Sequence, residues 1–295
     1  MDRRAFLIAG SWSLAATGAL AATRKIPAMP ARTDALHQAI TACERDSGGR
    51  LGVALLDTSS GLRFVYRGEE RFPMCSTFKF LLAAAILTKV QAGKESLTRK
   101  LPVKAADILD HSPVARKHVG GQAAIGELCE GAIIYSDNAA ANLLLRTIGG
   151  PEGFTRFLRG MGDSVTRLDR WEPVMGEAAP GDQRDTTSPA AMLESLRKVT
   201  LGTVLAPPQR TRLTSWLIAN KTGDERLRAG LPRGWRAGDK TGSGGHGTTN
   251  DVAIFWPPQR RPVLVTTYLT GSRLDDAGRN AILARVGHAA TGAIQ

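Results

Sequence analysis

The stretch 76–90 constrains the fold of this chain more than any other part of it. Phe78, Phe80, Leu81, Leu82, Ala83, Ala84, Ala85, Ile86 and Leu87 leave almost no polar face at a helical period, and a helix that is apolar all round has to be enclosed by protein on every side. It stops short of the ~20 apolar residues that a membrane span needs. A chain of 295 residues with 42% hydrophobic content can build the enclosing core, and it has too little low-complexity sequence for disorder. One compact domain or two intimate lobes is expected, and there is no internal repeat.

What surrounds that helix can be read from periodicity. Residues 34–45 carry Leu36, Ala39, Ile40 and Cys43 at helical spacing, with Asp34 placed to cap the helix. Two β-prone runs, 51–56 and 62–66, flank the turn formers Asp57-Thr58-Ser59-Ser60-Gly61 and suggest a hairpin. The middle of the chain is helical in character. Ala179-Pro180-Gly181-Asp182 marks a long loop over 170–188, after which Pro189 opens another helix; long loops inside compact domains are usually functional. Strands return at 235–243, 250–256 and 263–270, with a glycine-rich turn at 242–247, and a helix over 275–290 closes the chain. Strands at both ends around a helical middle predict an α/β fold: an antiparallel sheet flanked by helices and built from both chain ends, with an inserted all-α lobe. The expected division is 34–73 with 219–292 for the α/β lobe and 74–218 for the all-α lobe, which includes the loop 170–188.

The formal charge of +12 is spread along the chain as scattered Arg. No dense basic run interleaves with aromatics, so no nucleic-acid partner is expected. The charge reads either as a solvated basic surface or as a field that draws in anionic substrates. Residues 1–22 read as a cleavable export signal: Asp2-Arg3-Arg4 is charged, 5–16 is apolar, and Ala19-Leu20-Ala21 fits a small-x-small cleavage site. Arg3-Arg4-Ala5-Phe6-Leu7 also matches the twin-arginine pattern, and both export routes stand. The other reading, a retained anchor, meets an apolar run that is too short and is broken by Gly, Ser and Thr. A periplasmic or secreted mature protein, off the membrane and monomeric, is expected. Cys43, Cys75 and Cys129 make no disulfide framework and read as small buried hydrophobes. None of the five His lies at ligand spacing from a Cys or another His, so neither metal nor cofactor is expected.

A serine hydroxyl becomes a good nucleophile only when a base takes its proton, and a Lys one helical turn later shares its face. Ser-x-x-Lys occurs twice, at Ser76-Thr77-Phe78-Lys79 and Ser195-Leu196-Arg197-Lys198. Ser76 stands at the start of the buried helix, where free backbone N–H groups can stabilise an oxyanion and low dielectric favours a neutral amine. Ser195 reads as mid-helix, solvated surface. Two further elements are Ser136-Asp137-Asn138 and Lys240-Thr241-Gly242. A second Lys221-Thr222-Gly223 runs into charged Asp224-Glu225-Arg226, whereas Lys240 lies in a predicted strand beside the glycine-rich turn.

These three elements, in this order, resemble the signature of the class A serine β-lactamases, and the resemblance runs over about 34–292. It implies hydrolysis of β-lactam antibiotics through a serine acyl-enzyme, conferring resistance, with a small-molecule β-lactam as partner. Ser76 would be the nucleophile, helped by Lys79. Ser136 would pass a proton to the lactam nitrogen, Asn138 orient the substrate side-chain amide, and Lys240, Thr241 and Ser243 bind the substrate carboxylate. The backbone N–H groups of Ser76 and Ser243 would form the oxyanion hole. Arg170-Trp171-Glu172-Pro173 matches the start of the family's omega loop, which would make Glu172 the base that activates water and Asp185 the partner of Arg170. The plain alternative for Glu172 is a loop carboxylate in a surface ion pair.

The chain departs from the family at Gly176, where an Asn usually helps to hold the water. Ala83 replaces the disulfide partner of Cys129, and Gly244 stands where carbapenemases pair a second Cys with that beside the nucleophile. Extended or carbapenem spectrum follows as an expectation from the space at Gly176. His111 maps to the aromatic wall of the cleft or is a surface His. Arg226 matches an extra guanidinium near the substrate carboxylate, with Arg228 and Arg279 as competitors. The competing functions are a D-alanyl-D-alanine peptidase, which lacks an efficient deacylating base, and a β-lactam sensor that acylates stably; Glu172 speaks against both.

Overall fold

The computed structural model describes residues 29–294. In chain order the elements are α1 (Met29–Ser47), β1 (Arg50–Asp57), β2 (Arg63–Tyr66), β3 (Phe72–Pro73), α2 (Phe78–Gln91), β4 (Lys100–Pro102), β5 (Gln122–Ala124), α3 (Ile125–Ile134), α4 (Asn138–Ile148) and α5 (Gly150–Gly160). They continue with β6 (Thr186–Thr187), α6 (Pro189–Thr200), α7 (Pro207–Ile218), β7 (Arg236–Gly244), β8 (Thr248–Trp256), β9 (Val263–Thr270) and α8 (Asp276–Ile294). The export signal expected over 1–22 lies outside the described residues. Among those described, no helix is long and apolar enough to cross a membrane.

The five-stranded sheet runs β2-β1-β9-β8-β7 and is antiparallel at every step. Strands from the two ends of the chain meet where Arg50 to Asp57 pair with Thr270 to Val263. One face buries Leu51, Val53, Phe255 and Val265 against α1 and α8. The other packs against α6 and α7, and beyond it lies the helical part of the molecule with α2 at its centre. Every residue of α2 from Phe78 to Leu87 is buried, Lys79 included.

Local sequence explains the element ends, with three corrections. Asp34 does not cap α1, because it lies inside a helix that already runs from Met29. The helix read from Ser76 starts at Phe78, after a 3-10 turn over Cys75–Thr77. The loop 170–188 is not without structure. It holds a 3-10 turn at Val174–Gly176, and its end pairs as β6 with β3. Pro189 opens α6 as expected, with Ser188 Oγ accepting from the Ala191 N–H. The β3–β6 pair positions the site, since it ties the end of that loop to the strand leading into Ser76. Met74 N–H, just beyond, donates to Asp185 O at 2.9 Å.

Candidate active site

Three elements hold the turn that carries Ser76. Asn250 of β8 donates through Nδ2 to Pro73 O (2.9 Å) and Met74 O (3.2 Å). Thr77 Oγ1 donates to Met74 O, and Tyr268 Oη of β9 lies 3.2 Å from it. Strand β7 comes so close that a Cβ at Gly242 would stand 2.8 Å from Met74 O, which explains a glycine there. Cys75 sits at φ 46° with its thiol fully buried and pushed up to about 12 by burial and by Glu172.

Lys79, one turn on, is buried and donates to Ser136 O (2.8 Å) and Asn138 Oδ1 (2.6 Å), with Ser136 Oγ at 3.5 Å. Its Nζ is 2.9 Å from Glu172 Oε1, and Ser76 Oγ donates to that same oxygen at 3.3 Å. Across the cleft, Lys240 Nζ donates to Ser136 Oγ at 3.1 Å and to Thr241 O at 2.8 Å. Burial, and then the neighbouring Lys79 charge, hold the Lys240 ammonium well below the usual lysine range. Two amines thus face one hydroxyl, that of Ser136.

The Ser136 turn is rigid because of Asp137. Its Oδ1 caps α4 by accepting from Ala140 N–H, and its Oδ2 accepts from Val114 and Ala115 N–H. Asn138 donates through Nδ2 to Asp110 O. His111 is exposed, with Nε2 at 2.7 Å from Tyr135 O, and its carbonyl accepts from Asn138 N–H.

Glu172 is buried, so the surface ion pair is excluded. A residue that sequence reading missed clamps its backbone: Asn142 accepts from Glu172 N–H at 3.1 Å and donates to Glu172 O at 2.9 Å. One signal could have found it, since Asn142 lies one helical turn after Asn138 on the same face of α4. Arg170 Nε is 2.5 Å from Asp185 Oδ2, while Asp185 Oδ1 accepts from Asp169 and Arg170 N–H. Arg170 also pairs with Glu177 (2.7 Å) and Asp182 (3.4 Å), so replacing Asp185 by Ala chiefly leaves the Asp169 and Arg170 N–H groups without their acceptor, and we expect a loss of about 2 kcal/mol of stability. Urea unfolding checks this; an unchanged midpoint would mean that Asp185 does not hold the loop.

Of the three competing arginines, Arg226 reaches the cleft: Nη2 donates to Ser243 Oγ at 2.7 Å. Arg228 is spent on Asp239 and Asp224, and Arg279 on Thr249, Leu274 O and Asp276. The second Lys-Thr-Gly is no bystander either, because Thr222 Oγ1 lies 2.5 Å from Thr241 Oγ1. Another correction concerns Ser195, which is buried rather than solvated and donates to Asp163 Oδ2 at 2.8 Å, while Lys198 Nζ donates to Met161 O. That second Ser-x-x-Lys is a core hydrogen bond. All three cysteines are buried and unpaired.

The model of the beta-lactamase enzyme family matches residues 35–294. β-Lactamase OXY-2 of Klebsiella oxytoca is 48% identical over 257 residues, covering 87% of this chain and 89% of that protein. The solved structure of an ancestral (GNCA) class A β-lactamase is 59% identical with a TM-score of 0.86, over 87% of this chain and 98% of that one. This chain belongs to the class A β-lactamases. A β-lactamase from Xanthomonas campestris superposes with a TM-score of 0.88 at 52% identity, over 90% of this chain and 99% of that one. As a class A β-lactamase it hydrolyses β-lactam antibiotics, which confers resistance; the peptidase and sensor readings are set aside.

Proposed function

We propose that Ser76 is the nucleophile of this β-lactamase, with Lys79, Ser136 and Glu172 moving its protons. One observation supports this above others: Glu172 Oε1 lies within reach of both Lys79 Nζ and Ser76 Oγ in a buried setting. In acylation, Ser76 Oγ bonds to the lactam carbonyl carbon as its proton leaves for the Lys79 and Glu172 pair. The C–N bond then breaks, and the nitrogen takes a proton from Ser136 Oγ, which the facing amines of Lys79 and Lys240 resupply. In deacylation, Glu172 takes a proton from water as the water oxygen attacks the ester, and Ser76 regains its hydroxyl.

Asn138 orients the substrate amide, while Lys240, Thr241, Ser243 and Arg226 receive the carboxylate. As an edge strand, β7 turns every second N–H away from β8; the Ser243 N–H, with that of Ser76, stabilises the oxyanion. His111 forms the opposite wall. Peptide mapping of the adduct formed with penicillin tests the assignment: the acyl group is expected on the peptide holding Ser76, and a label elsewhere would overturn it.

The substrate range follows from Gly176. A Cβ there would meet nothing within 4 Å, so the space at that position is open, and the Gly176 carbonyl accepts from Gly245 N–H at 2.9 Å. The open space admits β-lactams with bulkier 6α groups, carbapenems among them. Gly176→Asn fills it and is expected to slow imipenem turnover by up to about tenfold, the scale of one lost contact; an unchanged or faster steady-state rate rejects the idea. The protein is exported through residues 1–22, and acts as a periplasmic or secreted monomer off the membrane, without nucleic acid.

A further inference from the structure

On the α8 side of the sheet the β-lactamase buries two carboxyl groups, Asp239 and Asp251, that the reaction does not touch. Asp239 is accounted for, since it accepts from Arg228 Nε at 2.7 Å and from Asn220 Nδ2 at 2.5 Å. Asp251 is not. It lies in β8, opposite Thr241 on one side and Thr267 on the other. Its Oδ1 and the Thr267 Oγ1 across the ladder are buried with no hydrogen-bond partner among the described residues. Its neighbours along the strand and in the adjoining turn, Ala253, Phe255 and Leu227, belong to the hydrophobic core. An apolar side chain would suit such a place better, and a buried polar atom left unpaired calls for an explanation.

The hydrogen bond that Asp251 does make supplies one. Leu227 N–H donates to Asp251 Oδ2 at 3.2 Å, and Leu227 follows Arg226 at the start of the 3-10 turn Leu227–Gly230. The backbone around Arg226 is thus anchored on both sides, by Asp251 after it and by its own N–H donating to Gly223 O before it. From that anchor the guanidinium is aimed with little freedom. Nη1 donates to Gly242 O (3.0 Å) and Asn250 O (2.9 Å), Nε to Asn280 Oδ1 (2.9 Å), and Nη2 to Ser243 Oγ.

We propose that Asp251 is a positioning residue for the substrate carboxylate: by holding the Leu227 N–H it fixes Arg226 where its guanidinium reaches Ser243. This rests on the reading of Arg226 as a carboxylate-binding residue. Burial, reinforced by Asp239, pushes the Asp251 carboxyl well up. An Asn offers the same oxygen at the same place.

The test is steady-state kinetics with benzylpenicillin on Asp251→Asn, Asp251→Val, Asp251→Ala, Arg226→Ala and the double variant Asp251→Val/Arg226→Ala. Asp251→Asn is expected to keep the parent KM. Val and Ala are expected to raise KM about tenfold, the worth of one positioning hydrogen bond, with kcat within about threefold. In the Arg226→Ala background the Val substitution should change KM by less than about twofold, because its effect acts through Arg226. An unchanged KM in both Val and Ala variants, a KM raised as much by Asn, or the same KM factor with and without Arg226 would overturn the proposal. The Ala variant decides where Val folds poorly. Should Arg226→Ala by itself leave KM unchanged, the carboxylate reading of Arg226 falls instead, a separate outcome.

Discussion

Replacing Glu172 by Gln is expected to make a penicillin acyl-enzyme accumulate in intact-mass spectra, with turnover reduced about 100- to 10,000-fold, the range that general-base catalysis supplies. Gln keeps the shape of the side chain and the backbone clamp to Asn142, so the loop and the nucleophile stay in place. What is lost is the carboxylate that takes a proton from water in the second half of the reaction. Acylation loses Glu172 as one of the two acceptors for the Ser76 proton but retains Lys79, Ser136 and Lys240, so the ester forms more slowly and is not resolved. Rapid turnover by this variant would remove Glu172 from the role proposed for it.

Replacing Lys79 by Ala is expected to produce the opposite pattern: turnover reduced about 1,000- to 10,000-fold, with no acyl-enzyme accumulating. Lys79 donates to Ser136 O and Asn138 Oδ1 and lies 2.9 Å from Glu172 Oε1. Without it the Ser76 proton has a poorer route away, so the first half of the reaction becomes limiting. The variant also leaves Glu172 as a buried charge without its partner, which costs about 3 to 5 kcal/mol of stability. Adding Glu172→Gln to Lys79→Ala removes that charge, and the double variant is expected to regain stability in urea unfolding while staying inactive. A double variant no more stable than Lys79→Ala would mean that the charge pair contributes little to the fold.

The sheet drawn from both chain ends was legible because β-prone runs such as 263–270 and turn formers such as Pro257-Pro258 are local signals. So was the buried helix, whose composition admits no exposed face. Element ends were less legible. The start of α1 depended on residues before Asp34 that carry no periodic pattern, and the 3-10 turn at Cys75–Thr77 is imposed by contacts with β7 and β8. Ser195 shows the same limit, because the partner that satisfies its buried hydroxyl, Asp163, lies 32 residues away.

By itself the sequence determined which side chains could do the chemistry, since Ser76 and Lys79 are neighbours through helix geometry and the motifs follow in order along the chain. Only the tertiary structure decided which of them meet. Lys79 and Ser136 are 57 residues apart, Ser76 and Glu172 96, and Ser136 and Lys240 104. No local rule spans such separations. The choice of Arg226 over Arg228 and Arg279 was settled the same way, because Arg228 is drawn to Asp239 and Asp224, Arg279 to Thr249 and Asp276, and Arg226 reaches Ser243 Oγ. A hydrogen bond needs its partners within about 3.5 Å, and packing across the two sides of the cleft supplies that closeness.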